Sequence, residues 1–193
     1  MILPQDLEDP AAKQLISEAS IVTIMDPPLE TSVKLAREAK RLGKRVAWDP
    51  GVKAQLGMAE VSSLLENVDY IAANESETEN LTGISAAREA ALKMIEVHPG
   101  LKVITKLGGL GSILHHGTSQ VVRPAFDLAH HNLKVVNTVG CGDAFLGAFV
   151  AALSEGHSDE EALMWGNIAA GLKATRPETR GSPNRETLLK YMP

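Results

Sequence analysis

Residues 137–149 read Asn-Thr-Val-Gly-Cys-Gly-Asp-Ala-Phe-Leu-Gly-Ala-Phe, and this stretch carries the strongest signal in the chain. Gly140, Cys141 and Gly142 lie between a short β-prone run at residues 133–136 and an apolar, helix-prone run at residues 144–153. The first N–H groups of a helix have no intrahelical partner, and the helix dipole adds partial positive charge there. Small residues at positions 140–142 let a phosphate approach those donors closely. The stretch therefore predicts a strand, a tight turn and a helix whose N-terminus binds an anion.

Asp143 follows this turn directly, within reach of a group that attacks a bound phosphate. A carboxylate there can act as a general base beside an electrostatic cradle formed by the amides of Gly140, Cys141 and Gly142. The motif alone has a structural interpretation too, because an acidic residue in the first turn of a helix stabilises the helix dipole. A cysteine at a helix N-terminus can have a lowered thiol pKa, which would make Cys141 easy to oxidise. The small size of the residue is the simpler explanation for its presence in this turn.

Apolar strand-like runs alternate with helical patterns along most of the chain. Strands are expected at residues 21–25, 45–49, 69–73 and 102–105, and helices at residues 29–42, 58–66, 86–97, 143–155 and 159–175. Such alternation implies right-handed crossovers and a parallel sheet buried on both faces. Residues 112–126 break the rhythm and are typical of a β-hairpin that turns at Gly117-Thr118. We expect a three-layer αβα fold with a mostly parallel sheet and a C-terminal β-hairpin, in a single domain spanning residues 1–193.

Polar or glycine-rich segments follow four of the expected strands, at Asp49, Asn74, Lys106 and the Gly140 turn. Ligands of parallel sheets bind beyond the carboxyl ends of the strands, so we expect these segments to converge on one edge. Asn74 and Glu77 also fit a helix capping box, and the two roles can coexist. Lys106 before Gly108 is placed to contact a phosphate, although most lysines are simply solvated.

The composition narrows the class of protein. A chain of 193 residues with 44% hydrophobic and 22% charged residues is typical of a folded globular domain. The net charge of −5 argues against binding to nucleic acid or to an anionic membrane surface. One cysteine excludes an internal disulfide and fits a reducing cytoplasm, where we expect the protein to reside. We identify neither a signal peptide nor an apolar run long enough to span a membrane.

Taken together and in this order, the motifs resemble those of the ribokinase-like (PfkB) carbohydrate kinases. Residues 137–145 resemble the family's Asp-Thr-x-Gly-Ala-Gly-Asp-x-Phe signature, residues 74–77 its Asn-x-x-Glu segment, and residues 106–111 its glycine-containing nucleotide loop. Residues 167–174 and 181–183 resemble its adenine-side helix and closing segment. The resemblance spans nearly the whole chain.

This resemblance implies an ATP-dependent phosphotransferase that moves the γ-phosphoryl group to a hydroxyl of a small polar substrate, in the sugar and nucleoside branch of the family. It implies that Asp143 is the base that deprotonates this hydroxyl. It also implies that the amides of Gly140, Cys141 and Gly142 form the anion hole.

The resemblance further implies sites for the nucleotide and for Mg²⁺. Asn74 and Glu77 would organise the Mg²⁺–phosphate assembly, with Glu77 acting through water. The remaining nucleotide contacts would come from Lys106, Gly108, Gly111 and, on the adenine side, Asn167. Asn137 stands where the family pattern has Asp, which removes a charge and puts a monovalent-cation site at this loop in doubt.

The sequence also departs from the family pattern in its length. Family members usually carry a sugar-binding and lid portion upstream, and Met1 begins downstream of it, so we expect a truncated version of the fold. Two alternatives stay open: a nucleotide-binding module or split kinase with little activity of its own, and a hydroxymethylpyrimidine- or pyridoxal-type kinase. Missing strands would leave a sheet edge unpaired, so we expect a homo-oligomer or a missing N-terminal segment that covers it.

Overall fold

The computed structural model describes residues 2–192, and within them it contains six β-strands and nine α-helices. The strands are β1 (Ile21–Ile24), β2 (Arg45–Trp48), β3 (Tyr70–Asn74), β4 (Lys102–Lys106), β5 (Ser112–His116) and β6 (Ser119–Arg123). The helices are α1 (Pro10–Glu18), α2 (Leu29–Arg41), α3 (Gly57–Glu60), α4 (Ser62–Leu65), α5 (Glu75–Thr82), α6 (Ala87–Val97), α7 (Cys141–Ser154), α8 (Asp159–Ala174) and α9 (Arg185–Leu189). Short 3-10 helices lie at Pro4–Glu8, Gly51–Leu56 and Gly108–Leu110.

The strands form one sheet in the order β1-β2-β3-β4-β5-β6, so each strand lies beside its neighbour in the sequence. The pairs β1–β2 and β2–β3 are parallel, with Val22 opposite Val46 and Trp48 opposite Ile71. The side chains of β3 from Tyr70 to Ala73 are all buried, as is typical of a parallel strand covered on both faces. The β5–β6 hairpin turns at residues 117–118, as the sequence predicts.

The chain divides into two compact units. The first unit comprises residues 2–105 and 115–120, and the second comprises residues 106–114 and 121–192. The core of the first unit is a cluster of buried apolar side chains that includes Val46, Trp48, Ile71, Leu64 and Met94. The expectation of a single domain over residues 1–193 stays a prediction.

The core of the second unit is built on the pair of helices α7 and α8. The rings of Phe145 and Phe149 stack in parallel along α7, with their centroids 6.2 Å apart. Gly166 of α8 faces Phe145 so closely that a Cβ there would lie 2.8 Å from its ring. Because real side chains do not approach that closely, the spacing of the two helices depends on glycine at this position.

The segment before α7 differs from the sequence-based prediction. Residues 133–136 do not form a strand, and Val135 and Val136 are 61% and 59% exposed. The N–H groups of Val136 and Asn137 both donate to the carbonyl of Ala174, at 2.7 and 3.1 Å, rather than to a neighbouring strand. The predicted strand was therefore wrong, because a β-prone run without a ladder partner stays irregular.

Other differences concern short helices. The predicted helix at residues 58–66 is two single-turn helices, α3 and α4, separated at Val61, where φ is −91° and ψ is 6°. The sequence analysis did not predict α1 or α9, which are both short. Among residues 2–192, no helix is both long enough and apolar enough to cross a membrane.

Candidate active site

The turn before α7 depends on the backbone conformation of Gly140. This residue is the N-cap of α7 and has φ 85° and ψ 3°, in the left-handed region that favours glycine. A Cβ at this position would lie 2.5 Å from the carbonyl oxygen of Thr179. Two independent constraints therefore require glycine here. The helix begins at Cys141, two residues earlier than predicted, so Asp143 occupies the third position of its first turn.

The N–H groups of the turn divide into paired and unpaired donors. Cys141 donates its N–H to the carbonyl of Thr138 at 3.1 Å, so this amide is already engaged. Within residues 2–192 the N–H groups of Gly140, Gly142 and Asp143 have no hydrogen-bond acceptor. These unpaired donors lie at the N-terminal end of α7, where the helix dipole favours an anion. The unpaired donors of the motif in this structure are therefore those of Gly140, Gly142 and Asp143, and the binding of an anion by them stays a prediction.

Asp143 presents an open carboxylate. Its side chain is exposed and forms no hydrogen bond or ion pair within the described residues. It lines a cavity of about 230 Å³ whose other walls come from α7, from Trp165 and Ala169 of α8, and from residues 182–185. A carboxylate in this position is accessible to a ligand and is not committed to a structural partner, as a general base requires.

Asn137 anchors the turn through every polar group it has. Its N–H donates to the carbonyl of Ala174, and its carbonyl accepts from Nζ of Lys173 at 3.0 Å. Its side-chain Nδ2 donates to the carbonyl of Pro177 at 2.8 Å, and its Oδ1 accepts from the N–H of Val139 at 3.0 Å. The chain before α7 is therefore fixed to the end of α8 and to the segment that follows it.

The sequence analysis missed Lys173, which is fully buried although it is a lysine. A signal for it was present, because it is the one lysine of α8 and stands between the buried residues Leu172 and Ala174. Lysine is almost never fully buried unless its charge is paired.

Burial governs the pKa of the Cys141 thiol. Burial raises its pKa above the usual value, while the positive charge of Lys173 acts in the opposite, smaller direction. The structure therefore favours the small-size interpretation over a lowered pKa, since desolvation outweighs the positive charge of Lys173. The small size of the residue accounts for its place in the turn.

Asn74 and Glu77 lie in the first unit and form a complete capping box. Asn74 ends β3 and is the N-cap of α5, and its Oδ1 accepts from the N–H of Glu77 at 2.9 Å. In return, Oε2 of Glu77 accepts from the N–H of Asn74 at 2.8 Å. In the same unit, Oδ1 of the buried Asp49 accepts from the N–H of Gly51 at 3.1 Å. The structural interpretation of Asn74 and Glu77 is confirmed, and it occupies one oxygen of each side chain.

The glycine loop after β4 belongs to the second unit. Lys106 ends β4, and Gly108 has φ 56° at the start of the 3-10 turn. Gly111 has φ 103°, and a Cβ there would overlap the carbonyl oxygen of Arg123. Gly108 and Gly111 therefore adopt backbone conformations that are unfavourable for residues with a Cβ. Gly111 also packs directly against the backbone of residues 123–125.

Asn167 of α8 contacts the backbone of residues 123–124, the same segment that Gly111 approaches. Its side chain is buried, and its Nδ2 donates to the carbonyls of Arg123 and Pro124 at 3.2 and 3.0 Å. Asn167 and Gly111 are thus brought together around residues 123–124. The amide nitrogen of Asn167 holds the chain after β6 in place.

The residues predicted to form the site are distributed over both units. Asn74 and Glu77 belong to the first unit, and the others, from Lys106 onward, belong to the second. Their convergence on one edge stays a prediction.

A family comparison agrees with this chemistry. Residues 2–186 match the family model described as pfkB family carbohydrate kinase. The chain belongs to the PfkB family of carbohydrate kinases. The match covers almost all of the sequence, so the resemblance in the motifs is confirmed.

The individual relatives that the chain resembles include several ribokinases. The ribokinase of Haemophilus influenzae is 29% identical over 185 residues, which cover 93% of this chain and 57% of that protein. A crystal structure of ribokinase from Thermotoga maritima has a TM-score of 0.79 and 31% identity, covering 93% of this chain and 58% of the other. The Arabidopsis thaliana ribokinase, solved with ribose and ATP, has a TM-score of 0.81 and 27% identity, covering 95% and 59%.

These structural similarities confirm the predicted three-layer α/β, ribokinase-like fold. The chain spans little more than half the length of the relatives it matches.

We predict that replacing Gly140 with alanine destabilises the second unit more than the same change at Gly156. Both glycines have a positive φ, at 85° and 89°, but only Gly140 faces a backbone carbonyl, whereas nothing lies within 4 Å of a Cβ at Gly156. Both variants should lose about 1–3 kcal/mol from the left-handed backbone, and Gly140→Ala about 1–3 kcal/mol more from the overlap. Urea unfolding measures the difference, and equal losses would contradict the close approach of Thr179.

Proposed function

We propose that this chain is the nucleotide-binding part of an ATP-dependent phosphotransferase that acts on a hydroxyl group of a small polar substrate. The observation that carries the proposal is the exposed carboxylate of Asp143 beside the unpaired N–H groups of Gly140, Gly142 and its own backbone. Membership of the PfkB carbohydrate kinases supports this assignment. Because the chain spans only part of its relatives, the activity of those relatives is a proposal for this chain.

A pentose is the first acceptor to test. The relative from Haemophilus influenzae is a ribokinase, and the Arabidopsis thaliana ribokinase was solved with ribose and ATP. By this similarity we propose a sugar or nucleoside hydroxyl as the phosphate acceptor, with ribose as the reference substrate.

The chemistry follows from the positions of the donors and the base. The Asp143 carboxylate accepts the proton of the attacking hydroxyl. A bond forms between that oxygen and the γ-phosphorus, and the bond from the γ-phosphorus to the bridging β–γ oxygen breaks, giving ADP and a phosphomonoester. The N–H groups of Gly142 and Asp143 and the dipole of α7 stabilise the negative charge on the transferring group. Positioning and electrostatics supply most of the rate in such transfers.

Mg²⁺, when bound with the nucleotide, neutralises phosphate charge. In residues 2–192 no group of three or more His, Cys, Asp or Glu side chains is placed to hold a metal. Mg²⁺ commonly needs only one or two carboxylates, since phosphates and waters complete its coordination. We propose that Asn74 and Glu77 organise the Mg²⁺–phosphate assembly, with Glu77 acting through water; the capping box engages Oδ1 of Asn74 and Oε2 of Glu77. We assign no monovalent cation to the Asn137 loop, since its side chain presents an N–H donor to Pro177.

A second candidate function is a nucleotide-binding module or one part of a split kinase. The chain covers 57% of the Haemophilus influenzae ribokinase, so phosphoryl transfer by this chain alone is itself a proposal. Calorimetric binding of ATP–Mg²⁺ without turnover on ribose or other hydroxyl substrates would favour this alternative.

We predict that Asp143→Asn abolishes phosphoryl transfer while ATP–Mg²⁺ binding is retained. Loss of a general base lowers kcat by about 10²- to 10⁴-fold, whereas the backbone donors stay in place. Asp159→Asn is the matched control, because Asp159 is also an acidic residue in the first turn of a helix. Coupled ADP release with ribose measures turnover, and calorimetry measures binding. Parental activity in Asp143→Asn would remove Asp143 from the mechanism.

We predict that Glu77→Gln and Glu77→Ala separate the two roles of Glu77. Glutamine keeps an oxygen that can accept from the N–H of Asn74, so the free energy of unfolding should change little. Alanine removes the cap and should cost about 0.5–2 kcal/mol, a typical cost of cap removal. Both variants should need more Mg²⁺ for half-maximal ATP binding. An unchanged Mg²⁺ requirement in the stable Gln variant would leave Glu77 as a capping residue alone.

A further inference from the structure

Lys173 places a buried ammonium group next to the turn that precedes α7. Its side chain is fully buried in α8, and its Nζ donates to the carbonyl of Asn137 at 3.0 Å. Its Cε lies 3.5 Å from the position that a Cβ would occupy on Gly140. The charged end of this lysine is therefore adjacent to the turn whose N–H groups are unpaired.

No carboxylate in the described part of the chain forms an ion pair with Lys173. Its single hydrogen bond goes to a neutral carbonyl, which satisfies one of its three donors. Burying a charge without a counter-charge costs several kcal/mol, so proteins rarely retain such a group without a use for it. The field of an uncompensated buried cation favours an anion at the nearest open surface.

The positive charge of Lys173 also affects Cys141, the first residue of α7. It acts on the Cys141 thiol and partly offsets the effect of burial on the pKa of that group. The same lysine thus holds the backbone before the turn and affects the electrostatics of the residue after it. Both effects act on the segment that carries the unpaired N–H groups.

We infer that Lys173 is a positioning residue for the anion-binding end of α7, which fixes the Gly140 turn through Asn137 and adds a buried positive charge behind the site of the transferring phosphoryl group. This inference deepens the proposed function and rests on it for the identity of the anion. Lys173 does not touch the reacting atoms. It acts through the turn and through its field.

Two substitutions separate the hydrogen bond from the charge. Lys173→Gln removes the charge and keeps a side-chain N–H donor, whereas Lys173→Met removes both at similar length. Lys190→Met is the control, because Lys190 is a mostly exposed lysine of the same unit that pairs with Glu186 on the surface. Both Lys173 variants should lower kcat by roughly 10- to 100-fold with a smaller change in KM, with the Met variant affected more. Lys190→Met should match the parent chain.

Cys141 provides a readout that needs no turnover, because it is the one cysteine in the sequence. The pH dependence of its alkylation by iodoacetamide reports the charge that acts on it, which is that of Lys173 from α8. Removing the Lys173 charge should move the midpoint of alkylation to higher pH in both Lys173 variants and not in Lys190→Met. An unchanged midpoint in a folded Lys173 variant would overturn the inference.

A measurement on the parent chain covers the case in which neither variant folds. The ¹⁵N-labelled ammonium signal of Lys173, protected by burial, should shift when ATP–Mg²⁺ saturates the protein. A signal that stays unchanged at saturation would overturn the inference. If these shifts occur but no hydroxyl substrate is phosphorylated, the role of Lys173 at the anion site stands and the proposed phosphotransferase activity fails. If Asp143→Asn abolishes turnover but Lys173 has no effect on Cys141 or on catalysis, the proposed function stands and this inference fails.

Discussion

The candidate site depends on how the C-terminal end of α8 holds the chain that leads into α7. Ala174 accepts two backbone N–H groups, Lys173 donates to the carbonyl of Asn137, and the Asn137 side chain donates to Pro177. These contacts determine where the chain turns at Gly140. Because the turn is fixed, the first N–H groups of α7 are presented in a defined direction without secondary structure before them.

Glycine makes this arrangement sterically possible. Gly140 allows the left-handed turn against Thr179, and Gly166 allows α8 to pack against the Phe145 ring. The first contact positions the beginning of α7, and the second sets the spacing of α7 and α8. A phosphate site built in this way needs few charged residues, since oriented backbone groups supply the positive potential. This explains how a chain of net charge −5 can contain a site suited to a phosphate.

Much of the fold could be predicted from the sequence, because the strands of a parallel sheet are continuous apolar runs. The strands β1 to β4, the hairpin and the helices α2, α6, α7 and α8 lie within a few residues of the predicted positions. The run at residues 133–136 has the composition of a strand but lacks a neighbouring strand, which composition alone cannot reveal. Helices α1 and α9 are too short for a clear periodicity.

The site could be predicted only in part. The Gly140 turn and the Asn74 capping box are local patterns, and the sequence indicates both. Which amides are unpaired, the engagement of Cys141 with Thr138 and the burial of Lys173 depend on contacts between distant parts of the second unit. The raised thiol pKa of Cys141 has the same origin, because burial is a property of packing.

The most direct test of the central claim is a crystal structure of this chain with a non-hydrolysable ATP analogue and Mg²⁺. The account predicts a γ-phosphate within hydrogen-bonding distance of the backbone nitrogens of Gly142 and Asp143, with the Asp143 carboxylate open beside it. A nucleotide bound with its phosphates away from the N-terminus of α7, or an Asp143 side chain folded into a protein contact, would contradict it.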